Sequence, residues 1–538
     1  MSESHLIDLS TGKAVSKRTK TTSAATHAGE LFDAQGRRII RHQPSQLPAV
    51  LDQIEAALAA APDLNLFRYA GRLARVYQAN DKPSEDIKRP YGAIMMHPVE
   101  SAHLAELATR AAAHEKWDSR RDAYTPIDCP RRVADAYLAR GHWPGLPDLV
   151  GFIETPTITT AGRVIDAPGY DQESGLFCAF GEIPGYQRPP AKPTKRSAEN
   201  AMIRLLELVQ TFPFVDNGDR VALLAGLLSA VQRRLLPASP LFAVSAPTPG
   251  TGKTLLCETL AIVATGRRAA LLTLGHDDAE TEKRLAGAFL AGDACLLLDN
   301  IERPLGGDLL CQATTQQTLR LRPLGGSGMV SVPTHALLVA TGNCLAVVGD
   351  LKRRVVLIRL DAGVERPEHR IFDRDHLATV AERRGQIITD CLTIAGAYLA
   401  AGAPSISGLH GFGGFELWDA MVRRPLVWLG ADDPLASASE LRAADPDLEC
   451  TRLLFAAWRG EFGSRAVTAA EVCSAATAVG QSANDDLRDA LQLACSEKPN
   501  TRRLGGWLRR HRDKIIDGLQ LRQTGFDSDR KVARWQVI

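Results

Sequence analysis

Four short apolar runs divide the middle of this chain. Residues 241–244 (Leu241, Phe242, Ala243, Val244), 294–298 (Ala294 to Leu298), 335–341 and 355–360 are nearly free of polar positions and end at proline, acid, glycine or asparagine. Uninterrupted runs of this length read as strands buried on both faces, the pattern of a parallel sheet. Stretches with helical spacing separate them, beginning at 255–260. Upstream, 198–236 reads as helices packed on that sheet, and downstream 376–401 begins a small helical lid. From residue 44 to 190 the rhythm differs. Helices predicted at 47–60, 102–114 and 130–140 mix with short extended pieces at 151–154 and 162–165, and Pro168-Gly169 and Ser174-Gly175 mark turns. This predicts an N-terminal α+β domain over 44–195, joined to the rest by the proline-rich, basic linker 184–193.

The first apolar run leads into Pro247-Thr248-Pro249-Gly250-Thr251-Gly252-Lys253-Thr254 and then into the helical stretch. Strand, glycine-rich turn and helix in that order are the context of a phosphate-binding loop. The expected nucleotide cradle is Pro249, Gly250, Thr251, Gly252, Lys253 and Thr254. Lys253 is expected at the β- and γ-phosphates and Thr254 at Mg²⁺, while the helix N-terminus adds partial positive charge. Pro247 stands where the pattern GxxxxGK(S/T) begins with glycine; it can turn the chain but donates no N–H. ATP and Mg²⁺ are the ligands expected.

The second run ends in Asp299, a carboxylate at the C-terminal end of a parallel strand, where ligands bind, and a second candidate for Mg²⁺. Asn300 follows it where most such ATPases carry a glutamate, so Glu302 is the nearest carboxylate for orienting water. The third run ends at Gly342-Asn343, and the Asn343 amide is a candidate to hold the attacking water. Arg353 and Arg354, just before the last run, are candidates for fingers that reach a neighbouring subunit's nucleotide; a basic helix end capping its own dipole is the other reading.

In this order the strand, PTPGTGKT, LLLDN, ATGN and GDLKRR resemble an AAA+ ATPase. The fuller wording DNIERPLGGDLL, LRPLGGSGMVSVPTHALLVATGN and GDLKRRVVLIRLD is similar to the ATPase of primase–helicase proteins of prophages and mobile elements, related to superfamily 3 and MCM-like helicases. The resemblance is specific over 235–375. It implies an ATP-dependent DNA helicase or translocase, a homo-oligomeric ring, usually a hexamer, acting on single-stranded or forked DNA with partners such as a primase. Lys253, Thr254 and Asp299 then serve nucleotide and metal, Asn343 is the first sensor, and Arg353 or Arg354 the finger. Arg423 and Arg424 are candidates for the second sensor. The resemblance also puts a channel hairpin before the first sensor. Residues 318–323 and 329–332 flank the glycine-rich 324–328, and Arg320 and Arg322 would follow a phosphate backbone; a surface hairpin with two solvated arginines is the alternative.

Composition narrows little. The chain has 538 residues, 45% of them hydrophobic, and a net charge of +2, so any nucleic-acid surface must be local. Basic charge is concentrated at the C-terminus, where ten Lys or Arg stand against four Asp from Thr501 onward. A helix over 500–516, followed by extended 519–522, a turn at 524–527 and extended 532–537, is the outline of a winged helix. Arg502, Arg503, Arg509, Arg510 and Arg512 are its candidate DNA contacts. Ten cysteines lie without a CxxC pair, so no zinc site is expected. No apolar run is long enough for a membrane span and no signal peptide is apparent, which places the expectation in the cytoplasm. The expected organisation is a basic disordered tail over 1–43, the α+β domain, an AAA+ core with its leading helices over 196–375, a lid over 376–445, and a helical region over 446–538 ending in the winged helix. The acids of the N-terminal domain form no paired-aspartate site, which argues against primase activity. Two other functions remain open: an ATPase that loads a partner onto DNA, and a nucleotide-switched DNA-binding initiator with slow hydrolysis, which Asn300 favours.

Overall fold

The computed structural model describes residues 25–27, 30–78, 87–88, 92–274, 278–321, 329–364, 366–369, 375–437, 446–477, 485–495, 500–527 and 532–538. The chain divides into two compact units, Met1–Ser437 and Ala438–Ile538.

The first unit opens with strands β1 (Ala25–His27), β2 (Glu30–Phe32) and β3 (Arg38–His42). Residues 30–42, assigned to the tail from their polarity, are therefore folded. Ile39 and Ile40 are buried, and this short apolar pair is enough because β3 gains a parallel partner later in the chain. Helix α1 (Leu47–Ala59) follows, and then β4 (Leu66–Tyr69), β5 (Arg72–Gln78), β6 (Ile87–Lys88) and β7 (Ile94–Pro98). Helix α2 (Ser101–Ala111) stops short of the predicted residue 114. Ala112 is already extended, at φ −142° and ψ 154°, and begins β8 (Ala112–Asp118), which pairs with β3 on one side and β9 (Ala123–Ile127) on the other. Two ladders outweigh the helical propensity of the alanines here. Helix α3 (Arg131–Ala139) joins α1 and α2 over one core that includes Ile40, Ile54, Leu104 and Tyr137. Short strands β10 (Gly151–Ile153), β11 (Thr157–Ile158), β12 (Val164–Ile165), β13 (Gly169–Asp171) and β14 (Leu176–Cys178) lead to helices α4 (Lys195–Leu208) and α5 (Asn217–Gln232).

The central sheet contains the four predicted runs and two further strands. Strands β15 (Leu241–Ala246), β16 (Ala270–Leu272) and β17 (Cys295–Ile301) precede an antiparallel pair, β18 (Thr318–Leu321) and β19 (Val330–Pro333), and then β20 (Leu337–Asn343) and β21 (Val355–Arg359). Its order is β21-β15-β20-β17-β16-β6. All neighbours are parallel except β6, which runs antiparallel along the edge at β16. Helices α6 (Lys253–Thr265), α7 (Asp278–Ala291) and α8 (Asp308–Thr315) connect the strands, and α9 (His376–Glu382) and α10 (Arg384–Ala400) follow β21. Helix α5 is buried around nearly its whole circumference, which suits a sequence apolar on every side. Each fully buried leucine or valine in this core contributes roughly 1.5–3 kcal/mol. The proline-rich stretch 184–193 lies against α10: Thr389 Oγ1 donates to the Gln187 carbonyl and accepts from the Gln187 N–H, each at 2.9 Å.

In the second unit, helices Pro446–Phe462, Ala469–Thr477, Asp485–Cys495 and Thr501–Arg510 pack with β22 (Val467–Thr468), β23 (Ile515–Ile516), β24 (Leu519–Phe526) and β25 (Ala533–Val537), in the sheet order β22-β25-β24-β23. The basic helix ends at Arg510 rather than 516, because Ile515 and Ile516 pair with Gln520 and Leu519. Among the described residues no helix is long and apolar enough to cross a membrane.

Beside the Arg41–Glu115 ion pair, a pair of histidines joins β3 to β8. His42 Nε2 lies 2.8 Å from His114 Nδ1, and His114 Nε2 lies 3.1 Å from the Ala108 carbonyl. A carbonyl only accepts, so His114 holds its proton on Nε2 and accepts from His42, and both rings are neutral. Burial first, then His114 and Arg132, pull His42 from 6.5 down to about 4, and burial likewise lowers His114. The unfolded chain then takes up protons that the folded one refuses, so stability is complete above pH 6.5 and is lost as pH falls from there through about 4. Urea unfolding at stepped pH is expected to show this slope. It should flatten in the double variant His42→Gln/His114→Gln; an unchanged slope would assign it to other groups.

Candidate functional site

The site forms where β15, β20 and β17 end side by side. Gly250 and Gly252 carry φ of 76° and 96°, in the left-handed region that side chains rarely adopt. A Cβ on Gly252 would also lie 2.8 Å from the Phe212 ring. Glycine is thus required twice over at that position, for conformation and for space. Helix α6 starts immediately afterwards and ends at Gly266, whose N–H returns to the Ile262 carbonyl at 2.7 Å.

Lys253 turns back over the loop. Its Nζ donates to the Thr248 carbonyl at 2.9 Å, to Thr251 Oγ1 at 3.4 Å and to the Asn343 side-chain oxygen at 2.8 Å. Burial pulls the ammonium below the usual lysine range, against the opposing pull of Asp299. Thr254 Oγ1 donates to Asp299 Oδ1 at 3.2 Å. Lys253, Thr254, Asp299 and Asn343, drawn from three separate segments, therefore meet. The Thr254 hydroxyl and the Asp299 carboxylate offer oxygen donors alone, the set that suits Mg²⁺.

Sequence reasoning gave no role to Thr341, which organises this end of the sheet. Its hydroxyl donates to Asp299 Oδ1 at 2.5 Å and accepts the Asn300 N–H at 2.9 Å. Leu298 pairs with Ala340 and Ile301 with Gly342, so Asp299 and Asn300 together oppose Thr341 in a β-bulge. Asn300 takes φ 52°, which asparagine tolerates better than most residues. Its Nδ2 donates to Glu302 Oε1 at 3.3 Å, which links the exposed Glu302 to the bulge. A Cβ on Gly342 would meet the Ile301 carbonyl at 2.8 Å, so β20 can approach β17 this closely only with glycine there. The signal was present: a hydroxyl two residues before the strand-end asparagine.

The two arginines of Gly349–Arg354 separate. Arg353 keeps 67% of its side chain exposed and pairs with Asp350, whereas Arg354 keeps 16% and bonds to the Cys311 carbonyl, to Thr315 Oγ1 and to Asp350. The Arg353 guanidinium, then Arg354, hold the Asp350 carboxyl below the usual carboxylate range. Arg423 is buried and bonds to Asp419, Asp433 and the His410 carbonyl, and Arg424 bonds to Asp419. The guanidinium of Arg423, a candidate second sensor, is committed to two carboxylates and a carbonyl inside the helical region.

Arg320 is exposed on β18, and Arg322 lies outside the described residues. In the second unit Arg502, Arg503, Arg509, Arg510 and Arg512 are all exposed, while Leu504, Trp507 and Leu508 of the same helix are buried. Asn500 caps that helix by accepting the Arg503 N–H at 2.8 Å.

No protein-family profile and no curated protein matches this chain. Among solved structures, the apo A form of the NrS-1 C-terminal region aligns over 81% of this chain and 98% of its own, at 13% identity and a TM-score of 0.34. A second structure of that region aligns over 82% and 100%, at 14% and 0.34. SCCmec type IV Cch, described as an active helicase, aligns over 88% and 97%, at 12% and 0.31. Two of these neighbours are thus forms of one protein and the third is a helicase, but likeness at such scores carries no argument about this chain.

Thr341→Val keeps the shape and deletes both hydroxyl bonds. Titration of a fluorescent ATP analogue is expected to show about a ten-fold or greater rise in the Mg²⁺ needed for half-saturation, with nucleotide binding in chelator little altered. An unchanged Mg²⁺ requirement would detach Asp299 from metal binding.

Proposed function

We propose that this chain is an ATP-dependent DNA translocase or helicase of the AAA+ class, working as a ring in replication of a mobile element. The observation that carries the reading is the meeting of Lys253, Thr254, Asp299 and Asn343 at the adjacent C-terminal ends of parallel strands. Lys253 would hold the β- and γ-phosphates, and Asn343, in reach of the lysine, would position the water. Mg²⁺, held by Thr254 and Asp299, would offset the phosphate charge. Arg353, the exposed member of its pair, would complete the site of a neighbouring subunit. Supporting a DNA substrate are Arg320 on the hairpin and the five exposed arginines on and just after the last helix. That helix, with the antiparallel strands following it and with β22 paired to β25, supports a winged helix as the module of the second unit.

A second reading is favoured by Asn300. With no carboxylate directly after Asp299, and with Glu302 held by the Asn300 amide, the chain would bind ATP and hydrolyse it slowly, as a nucleotide-switched DNA-binding initiator.

Turnover of ATP by purified protein, with and without oligodeoxythymidine, separates the two. DNA-stimulated turnover is expected, abolished by Lys253→Ala and lowered about 10³-fold or more by Arg353→Ala. Tight ATP binding with negligible turnover, restored by Asn300→Glu, would replace the motor with the switch. Separately, reversing Arg502, Arg503, Arg509 and Arg510 to Glu should weaken DNA binding and reduce its salt dependence. Unaltered affinity in fluorescence anisotropy would remove that helix from the DNA interface.

A further inference from the structure

The hairpin β18–β19 is rooted in two arginines from different parts of the fold. On one leg, Thr334 donates its N–H to the Gln317 carbonyl at 3.0 Å and its hydroxyl to the Gln316 carbonyl, so the hairpin closes directly onto the end of α8. Arg233, buried at the end of α5, binds this closure to the core. Its guanidinium donates to the Thr334 carbonyl, to Ala336 O at 3.0 Å and to Leu236 O at 2.6 Å. On the other leg, Arg354 Nη1 donates to Cys311 O at 2.5 Å and to Thr315 Oγ1 in the last turn of α8. A cation on the carbonyl end of a helix is favoured by its dipole. Arg354 shares Asp350 with its neighbour Arg353. The same turn is joined to the loop leaving Asp299, since Val348 N donates to Leu305 O at 2.9 Å and Leu305 N to Ala346 O at 2.8 Å.

We propose that Arg354 is a positioning residue that couples the hairpin to the nucleotide held by a neighbouring subunit, with Arg353 the finger; the proposal rests on the function proposed above. When Arg353 turns from Asp350 to the neighbour's γ-phosphate, Asp350 is left to Arg354 alone. Arg354 then shifts its bonds toward that carboxylate and away from Cys311 O and Thr315 Oγ1. The last turn of α8 is released, and the hairpin root pivots on Arg233. The two adjacent arginines thus divide the work: one reads the neighbour's nucleotide and the other carries the reading to the proposed DNA contact at Arg320.

The test is hydrogen exchange of the amides of 318–321 and 330–332 in the full chain, with and without a non-hydrolysable ATP analogue, alongside binding of that analogue and DNA-stimulated turnover. The wild type should show a nucleotide-dependent change in hairpin exchange. Arg354→Met should lose it while binding the analogue within about two-fold of wild type, and its stimulation by oligodeoxythymidine should fall about five-fold or more. Arg354→Lys, with the charge kept, and Thr315→Val, with only one acceptor removed, should lie between, and they keep the test usable if Arg354→Met unfolds. A full hairpin response in all three variants overturns the coupling. Loss of turnover in Arg354→Met equal to that of Arg353→Ala, with the hairpin response intact, makes Arg354 the finger instead. A wild-type hairpin that ignores a bound analogue also overturns it, whereas failure of the wild type to bind the analogue at all sinks the underlying ATPase reading.

Discussion

One buried hydroxyl sets the geometry on which the site depends. Thr341, only 2% exposed, stands between β17 and β15 and holds both residues of the Asp299–Asn300 bulge. Without it the Asn300 N–H would lose its partner and Asp299 Oδ1 would be left with the Thr254 hydroxyl. The bulge points Asp299 at Thr254 and leaves Asn300 in a left-handed turn. Gly342 then lets the backbone pass close to Ile301, so that the next residue, Asn343, arrives within reach of Lys253. The loop 247–254 supplies the lysine and the threonine, but the neighbouring strands supply what they face.

The glycine turn at 247–254 was legible because its requirements are local: two glycines in the left-handed region, a lysine and a hydroxyl within eight residues of chain. The buried strands were legible for a related reason, since both faces of a parallel sheet demand apolar side chains and leave uninterrupted runs. What escaped the sequence is what distant segments decide. β3 was lost in the tail because two isoleucines make no pattern until β8 supplies a ladder. Helix α2 was read three residues too long because nothing in Ala111-Ala112-Ala113 opposes a helix except partners elsewhere in the chain. Thr341 and Arg233 act through contacts some 40 and 100 positions away, which no window of sequence contains. Arg353 and Arg354 look equivalent in a string, yet only packing against α8 tells them apart.

Charge is handled in two contrasting ways in the first unit. Arg233 is buried against backbone carbonyls, and burial pulls its guanidinium down to about 9. Arg423, by contrast, is buried against two carboxylates. Guanidinium fits both settings, because its planar fork can satisfy several acceptors at once and remains charged after a substantial downward shift. At Arg423 the three donors of a lysine would fall short of the four acceptors that the guanidinium serves. The neutral histidines between β3 and β8 solve the same problem by giving up charge instead.

The two-residue strand β6 joins the N-terminal part to the central sheet by backbone pairing, Ile87 to Leu272 and Lys88 to Leu271. Severing the chain at the prolines of 184–193 to isolate the central sheet would therefore remove the strand that covers one rim of it. Leu272, nearly wholly buried in the intact chain, lies on the strand so exposed. The short and apolar β16 would present open N–H and C=O groups to any passing chain, the condition under which excised domains self-associate. Covalent order and structural order differ here: the central sheet takes its edge strand from well before the segment that holds its other five strands.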